Sequence, residues 1–151
     1  MSPHVARLRA ALGGELILLP SVTVLPLDAD GRLLLGRHTE AGGAWATVGG
    51  AVEIGESPAD AARREAREEI GVDVRLTRLI DVLGGPEFEI VYRNGDRSAY
   101  VTAVYEAEIA GGLPAPDTEE MTELGWFASA ELATTTISSF TRAVLRGVGR
   151  L

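Results

Sequence analysis

Gly49-Gly50-Ala51-Val52-Glu53-Ile54-Gly55-Glu56-Ser57-Pro58-Ala59-Asp60-Ala61-Ala62-Arg63-Arg64-Glu65-Ala66-Arg67-Glu68-Glu69-Ile70-Gly71-Val72 is the stretch on which the reading of this chain turns. Ser57-Pro58 marks a helix start, serine as cap and proline at the first helical position, and Gly71 marks its left-handed stop. A helix is therefore expected over residues 58–70. Rotation by about 100° per residue gathers Ala59, Ala62, Ala66 and Ile70 on one side, where three small side chains permit close approach to a sheet. Glu65, Glu68 and Glu69 stand at i, i+3 and i+4 within a neighbouring arc. This order of charges works against the helix. Glu65 and Glu69 repel across one turn, and Glu68 and Glu69 lie in the last turn, where the helix dipole disfavours an anion by ~0.3–1 kcal/mol. Clustered carboxylates are what a hard divalent cation requires, with waters and substrate phosphates completing its shell.

Around this segment the chain reads as strands. Residues 15–27, 32–36, 46–48, 72–83, 87–92, 98–109 and 122–127 have apolar, β-branched or alternating character. Asp28-Ala29-Asp30-Gly31 is a turn, and Asn94-Gly95 is the clearest hairpin signal. Residues 111–118 read as loop. Val5, Leu8 and Leu12 behind Ser2-Pro3 suggest a short amphipathic helix ended by Gly13-Gly14, and Phe140, Ala143, Val144 and Val148 mark a terminal one. Strands joined by both hairpins and a helix predict an α+β fold, a mixed and partly antiparallel sheet with helices on its faces. The expected division is an N-terminal helical extension over 1–14 and a single domain over 15–151.

Composition narrows the chemistry. The chain has 151 residues, 46% hydrophobic and 24% charged, which are globular values. It contains no cysteine, which removes disulfides, thiolate nucleophiles and Cys-bearing metal sites. It contains no lysine either, since all 14 basic residues are arginine, and this removes Schiff-base catalysis and the phosphate-loop ATPases. His4 and His38 are too few for a multi-histidine metal centre. The net charge of −8 argues against bulk attraction to nucleic acid or anionic membranes. Residues 16–27 are apolar but broken by Pro20 and Pro26, short of the ~20 residues that span a bilayer. The opening residues lack the apolar core of a secretory signal, so a cytoplasmic protein is expected.

The spacing of the opening stretch resembles the signature of the Nudix hydrolases. Gly50, five residues, Glu56, seven residues, then Arg64-Glu65-Ala66-Arg67-Glu68-Glu69-Ile70-Gly71-Val72 matches all seven of its fixed positions. At ~7% frequency per residue type, a chance match is on the order of one in a million. Strand order and the later Trp126-Phe127 and Glu131-Leu132 look like the family as well. The resemblance implies an α-β-α sandwich in which Glu65, Glu68 and Glu69, with the Gly50 carbonyl, hold Mg²⁺ or Mn²⁺. It implies that Glu56 pairs with Arg64 and braces the segment, and that water attacks phosphorus in a nucleoside diphosphate linked to another group. ADP-ribose-like compounds and nucleoside triphosphates are the expected substrates. The family takes its general base either from the helix, here Glu68 or Glu69, or from a later loop, here Glu119 or Glu120. Family members are often homodimers.

Two points are left to residue chemistry. Val48 stands where the family commonly has proline, so the approach to Gly49-Gly50 is expected to differ. Arg37, Arg93 and Arg97 are candidate phosphate or base contacts, and Trp45 a candidate base-stacking ring. Tyr92, Tyr100 and Tyr105 read as strand filling. Against hydrolysis stands a nucleotide-sensing module without turnover, which has no use for so costly a carboxylate cluster. RNA 5′-end processing is disfavoured by the net charge.

Overall fold

The computed structural model describes residues 2–151, so Met1 of the expected extension lies outside the described residues. In chain order the elements are α1 (Pro3–Leu12), β1 (Ile17–Pro26), β2 (Leu33–His38), β3 (Trp45–Ala46), β4 (Val48–Ala51) and α2 (Pro58–Ile70). They continue with β5 (Asp73–Leu83), β6 (Glu89–Val91), β7 (Arg97–Gly111), β8 (Met121–Phe127), α3 (Ser129–Leu132) and α4 (Ser139–Gly147). The larger sheet runs β4-β1-β7-β5, with β6 also on β7; the smaller runs β3-β2-β8. β1 and β7 are parallel from Ile17–Ser98 to Pro26–Ala107, and the other pairings between these strands are antiparallel.

β1 is the spine. A strand covered on both faces reads as a near-continuous apolar run, and residues 21–26 of β1 are all buried. Val22 and Val24 pack with Ala61, Ala62, Ala66 and Ile70 of α2, whereas Leu25 and Val104 pack with Val144 and Leu145 of α4. Helices thus cover both faces of the sheet. The α-β-α sandwich is the observed architecture.

Three expectations change. Residues 46–48 are not one strand: Trp45–Ala46 pairs with β2, Val48–Ala51 pairs with β1, and the chain changes sheets at Thr47. Thr47 donates its N–H to Thr141 Oγ1 of α4 at 2.9 Å instead of to a ladder. The expected strand 87–92 begins as a 3-10 turn, Pro86–Phe88, because Phe88 turns inward and is buried. The first helix forms, capped by Ser2, but buries no apolar side chain, and Leu12 stays 43% exposed.

Gly49 leaves no room for a side chain between β4 and β1. It sits opposite Thr23, and a Cβ there would overlap the Val22 carbonyl, which is backbone and cannot swing aside. Val48 just before it pairs regularly with Val24 and is fully buried. Gly49→Ala should therefore cost about 1–3 kcal/mol of stability, an overpacking cost. Urea denaturation with an unchanged m-value checks this.

Candidate active site

α2 is set by local chemistry at both ends. Ser57 Oγ accepts the Asp60 N–H at 3.1 Å, and Gly71 takes φ 68°, where its N–H reaches the Arg67 carbonyl. The buried face is rotated from the expected one. It comprises Ala61, Ala62, Glu65, Ala66, Glu69 and Ile70, while Ala59 is half-buried. The cause lies in β4, where Gly49 and Gly50 have no side chains and admit carboxylates beneath the strand. Glu69 is 1% exposed and its Oε1 accepts the Gly49 N–H at 2.8 Å. A Cβ on Gly50 would overlap the Glu65 carboxylate. Glu68 does not share this face; it points to solvent and pairs with Arg64 at 3.1 Å.

Arg64 ties the surroundings together. It donates to both oxygens of Glu56 at 2.7 and 3.0 Å, to Glu65 Oε1 at 2.9 Å and to the Ala51 carbonyl at 3.0 Å. Glu56 in turn accepts the Glu53 N–H at 3.1 Å, which closes the loop between β4 and α2. Hydrogen bonding to Arg64 holds the Glu56 carboxyl below the usual carboxylate range. The inner pair behaves oppositely. Burial raises Glu65 to about 7 against the pull of Arg64. Burial, with Glu65 nearby, raises Glu69 well above its ordinary value. Glu69 Oε2 is buried and has no hydrogen-bond partner.

The loop after β7 brings a further carboxylate. Its N–H groups cap the last turn of α2: Ala115 donates to the Ile70 carbonyl at 3.0 Å and Asp117 to the Glu69 carbonyl at 3.1 Å. Asp117 Oδ1 then accepts the N–H groups of Glu119, Glu120 and Met121 at 3.2, 3.1 and 2.9 Å. Glu120 ends within a cluster whose ligand atoms, from His38, Glu69 and Glu120, lie within 4.8 Å of one another. Glu119 is not in that cluster. His38 was not legible as a site residue. Its Nδ1 accepts the Glu40 N–H at 3.2 Å, so the neutral ring carries its proton on Nε2 and acts there as a donor.

A cavity of about 430 Å³ opens beside Gly49 and Gly50. Its lining is rich in hydroxyls, including Ser21, Thr23, Thr141, Ser138, Tyr92 and Tyr100. The phenol oxygens of Tyr92 and Tyr100 meet at 2.5 Å, and burial with Tyr100 alongside pushes the Tyr92 phenol up. Periodicity on strands explains why both read as filling; no local signal separates them from it.

The other candidate contacts have partners within the protein. Arg37 pairs with Glu123 at 2.7 Å and lies 4.8 Å over the Trp45 ring, which packs edge-on against Phe127 at 4.9 Å. These two residues line a separate cleft with Thr135 and Thr136, because the sheet change at Thr47 sends Trp45 to the other sheet. Arg93 donates to the Thr39 carbonyl at 2.9 Å, and Arg97 offers its own carbonyl to Arg9 at 2.6 Å.

Comparison with known proteins agrees with this arrangement. The NUDIX domain profile matches residues 18–147, so the chain belongs to the Nudix family. It is 36% identical over 108 residues to the NAD-capped RNA hydrolase NudC of Stutzerimonas stutzeri, covering 72% of this chain and 36% of that protein. It is 36% identical over 118 residues to a Nudix hydrolase of Streptomyces coelicolor, covering 74% of this chain and 60% of the relative. The chain thus spans less than two-thirds of the length of either. A solved MutT Nudix hydrolase from Burkholderia pseudomallei superposes with a TM-score of 0.68 at 30% identity, over 87% of this chain and 98% of the other. Among the described residues no helix is long and apolar enough to cross a membrane.

The raised carboxyls make a prediction about pH. A carboxyl raised in the folded state favours folding while protonated, so its contribution is complete below the ordinary value of 4.5 and is lost as pH rises through about 7. In a chelator, the melting temperature should fall between pH 5 and pH 8, a range in which carboxyls lowered by arginine do not titrate. Mg²⁺ should restore it most at pH 8. Scanning calorimetry at several pH values, with and without Mg²⁺, tests this; a flat or rising profile in chelator would contradict it.

Proposed function

We propose that this protein is a divalent-cation-dependent pyrophosphohydrolase that cleaves a nucleoside diphosphate linked to a second group. The observation that carries the reading is Glu69 Oε2, a buried carboxylate oxygen without a partner beside a cavity. A charged group placed so costs several kcal/mol unless a cation or proton joins it. The neighbouring donors suit a hard ion, since Glu65, Glu69, Glu120 and the Gly50 carbonyl all offer oxygen. Mg²⁺ or Mn²⁺ bound by them supplies charge neutralisation on the diphosphate oxygens. Glu68 is the weaker ligand candidate because it faces outward on Arg64.

The chain's own groups divide the remaining work. Arg64 and Glu56 hold Glu65 and the loop from Ala51 in place. Glu120, on an exposed loop and close to Glu69, accepts the proton of the attacking water, and Glu119 is the alternative on the same loop. His38 offers an Nε2–H donor to a phosphoryl oxygen or to Glu120. The hydroxyl-lined cavity takes the nucleoside part, which offers many acceptors. The name of the Stutzerimonas relative makes an NAD-type dinucleotide a member of the substrate range to test, beside ADP-ribose and nucleoside triphosphates.

Monophosphate release should be measured from ADP-ribose, NAD and the four ribonucleoside triphosphates with Mg²⁺ and Mn²⁺. Glu69→Gln should lower kcat on the order of 10³-fold with a far smaller change in nucleotide affinity, as expected for lost electrostatic stabilisation of the transition state. In chelator at pH 8 the same variant should melt higher than wild type by roughly 2–4 °C and no longer respond to Mg²⁺. Near wild-type kcat for Glu69→Gln would overturn the metal assignment. Full activity of both Glu119→Gln and Glu120→Gln would return the base to the helix.

A further inference from the structure

Arg9 lies on α1, before the residues that match the NUDIX profile. α1 buries none of its apolar side chains, yet the Arg9 side chain is only 9% exposed. Its Nη1 donates to the carbonyls of Gly13 and Glu15 at 3.1 and 2.8 Å. Its Nη2 donates to the Arg97 carbonyl at 2.6 Å and to Ser98 Oγ at 2.9 Å, while Nε lies 3.6 Å from Asp96 Oδ2. Two acceptors thus close the end of α1, one belongs to the turn between β6 and β7, and two belong to the first residues of β7. Only a planar fork of several N–H groups can span all of them.

Apart from Arg9, one side chain ties that turn to the rest of the protein, Arg93 donating to the Thr39 carbonyl at 2.9 Å, while Asn94 bonds only within the turn, to Asp96. β6 is a three-residue edge strand paired only with the first residues of β7. The turn has two backbone hydrogen bonds of its own, Tyr92 N–H to Asp96 O and Gly95 N–H to Tyr92 O, both 2.9 Å. Short edge elements of this kind open locally at little cost. Tyr92 begins the turn, and its hydroxyl completes the cavity wall against Tyr100. Of the two phenol protons one is used between the rings, and the other is free for an acceptor in the cavity.

We infer that Arg9 is a positioning residue for substrate: by clamping the 93–97 turn it keeps the Tyr92 hydroxyl on Tyr100 and makes the N-terminal helix part of the nucleotide site. The inference rests on the reading of the cavity as the nucleoside site. Arg9 touches no substrate itself. Its effect passes through Tyr92, so it belongs to affinity and not to the chemical step.

The test compares wild type, Arg9→Met, Tyr92→Phe and the double variant in the full chain. Without any nucleotide, Arg9→Met should speed amide hydrogen exchange across residues 92–98 while β1 and α2 keep wild-type protection. With Mg²⁺ and whichever of ADP-ribose, NAD or the ribonucleoside triphosphates the wild type cleaves fastest, Arg9→Met should raise KM about five- to tenfold, with kcat within about twofold of wild type. In the Tyr92→Phe background the same change should alter KM by less than about twofold, because the group it positions is gone. Unchanged exchange in the turn, an unchanged KM, or effects that multiply in the double variant would each overturn the inference. A purely structural Arg9 would lower the melting temperature and leave KM alone. If wild type cleaves none of these nucleotides, the functional reading fails, and the exchange result alone decides whether Arg9 clamps the turn.

Discussion

Burial of Glu69 is the constraint around which the molecule is arranged. An ionised carboxylate removed from water must find donors or a cation, and here the protein supplies a donor to only one oxygen, the Gly49 N–H. To bring that N–H within reach, α2 presents Ala62 and Ala66 to the sheet, and β4 carries two glycines where the helix passes. The loop from β7 then uses the last carbonyls of α2 as its footing, which delivers Glu120 to the same place. Helix packing, strand composition and loop docking all follow from seating one acid under one strand.

The acids around Arg64 sort into two electrostatic populations. Glu56 and Glu68 are satisfied by the guanidinium and have a structural part, stiffening the loop and the outer face of the helix. Glu65 and Glu69 are poorly solvated and stand close to each other, so their ionised forms are disfavoured until positive charge arrives. Arg64 reaches only one of these, Glu65, which leaves the inner corner short of positive charge. This asymmetry leaves a rigid outer frame and an inner set of oxygens with unmet demand, the feature on which the proposed cation-dependent activity rests.

How much of this was legible depended on how local its cause was. The limits of α2 are written in Ser57, Pro58 and Gly71, so helix and structure agree to the residue. Its rotation is not local. Which carboxylates turn inward depends on Gly49 and Gly50 in another element, and the helical wheel alone placed Glu68 with Glu65 and Glu69. Trp45 and Arg37 are candidate contacts by residue chemistry alone, and the change of sheet at Thr47, which places them in a cleft apart from Gly49, is not visible in the sequence. Tyr92 and Tyr100 face each other across the Asn94-Gly95 hairpin, but His38 joins them in the cavity wall only through pairings between distant strands. The Asn94-Gly95 turn was evident, while its attachment to Arg9 spans 88 residues of chain and leaves no trace in any window.

Thr47 has a mechanical consequence. The residues before it are bonded into one sheet and those after it into the other, and its own N–H is fastened to α4. Sliding or tilting the sheets against each other would shear a peptide held at three points, so this seam cannot serve as a hinge. Domain-closing enzymes trap their ligands by rotating two halves about a pliant joint; this scaffold has a weld at that position. Freedom to move is left to the small peripheral pieces at the cavity mouth, set against this fixed back wall.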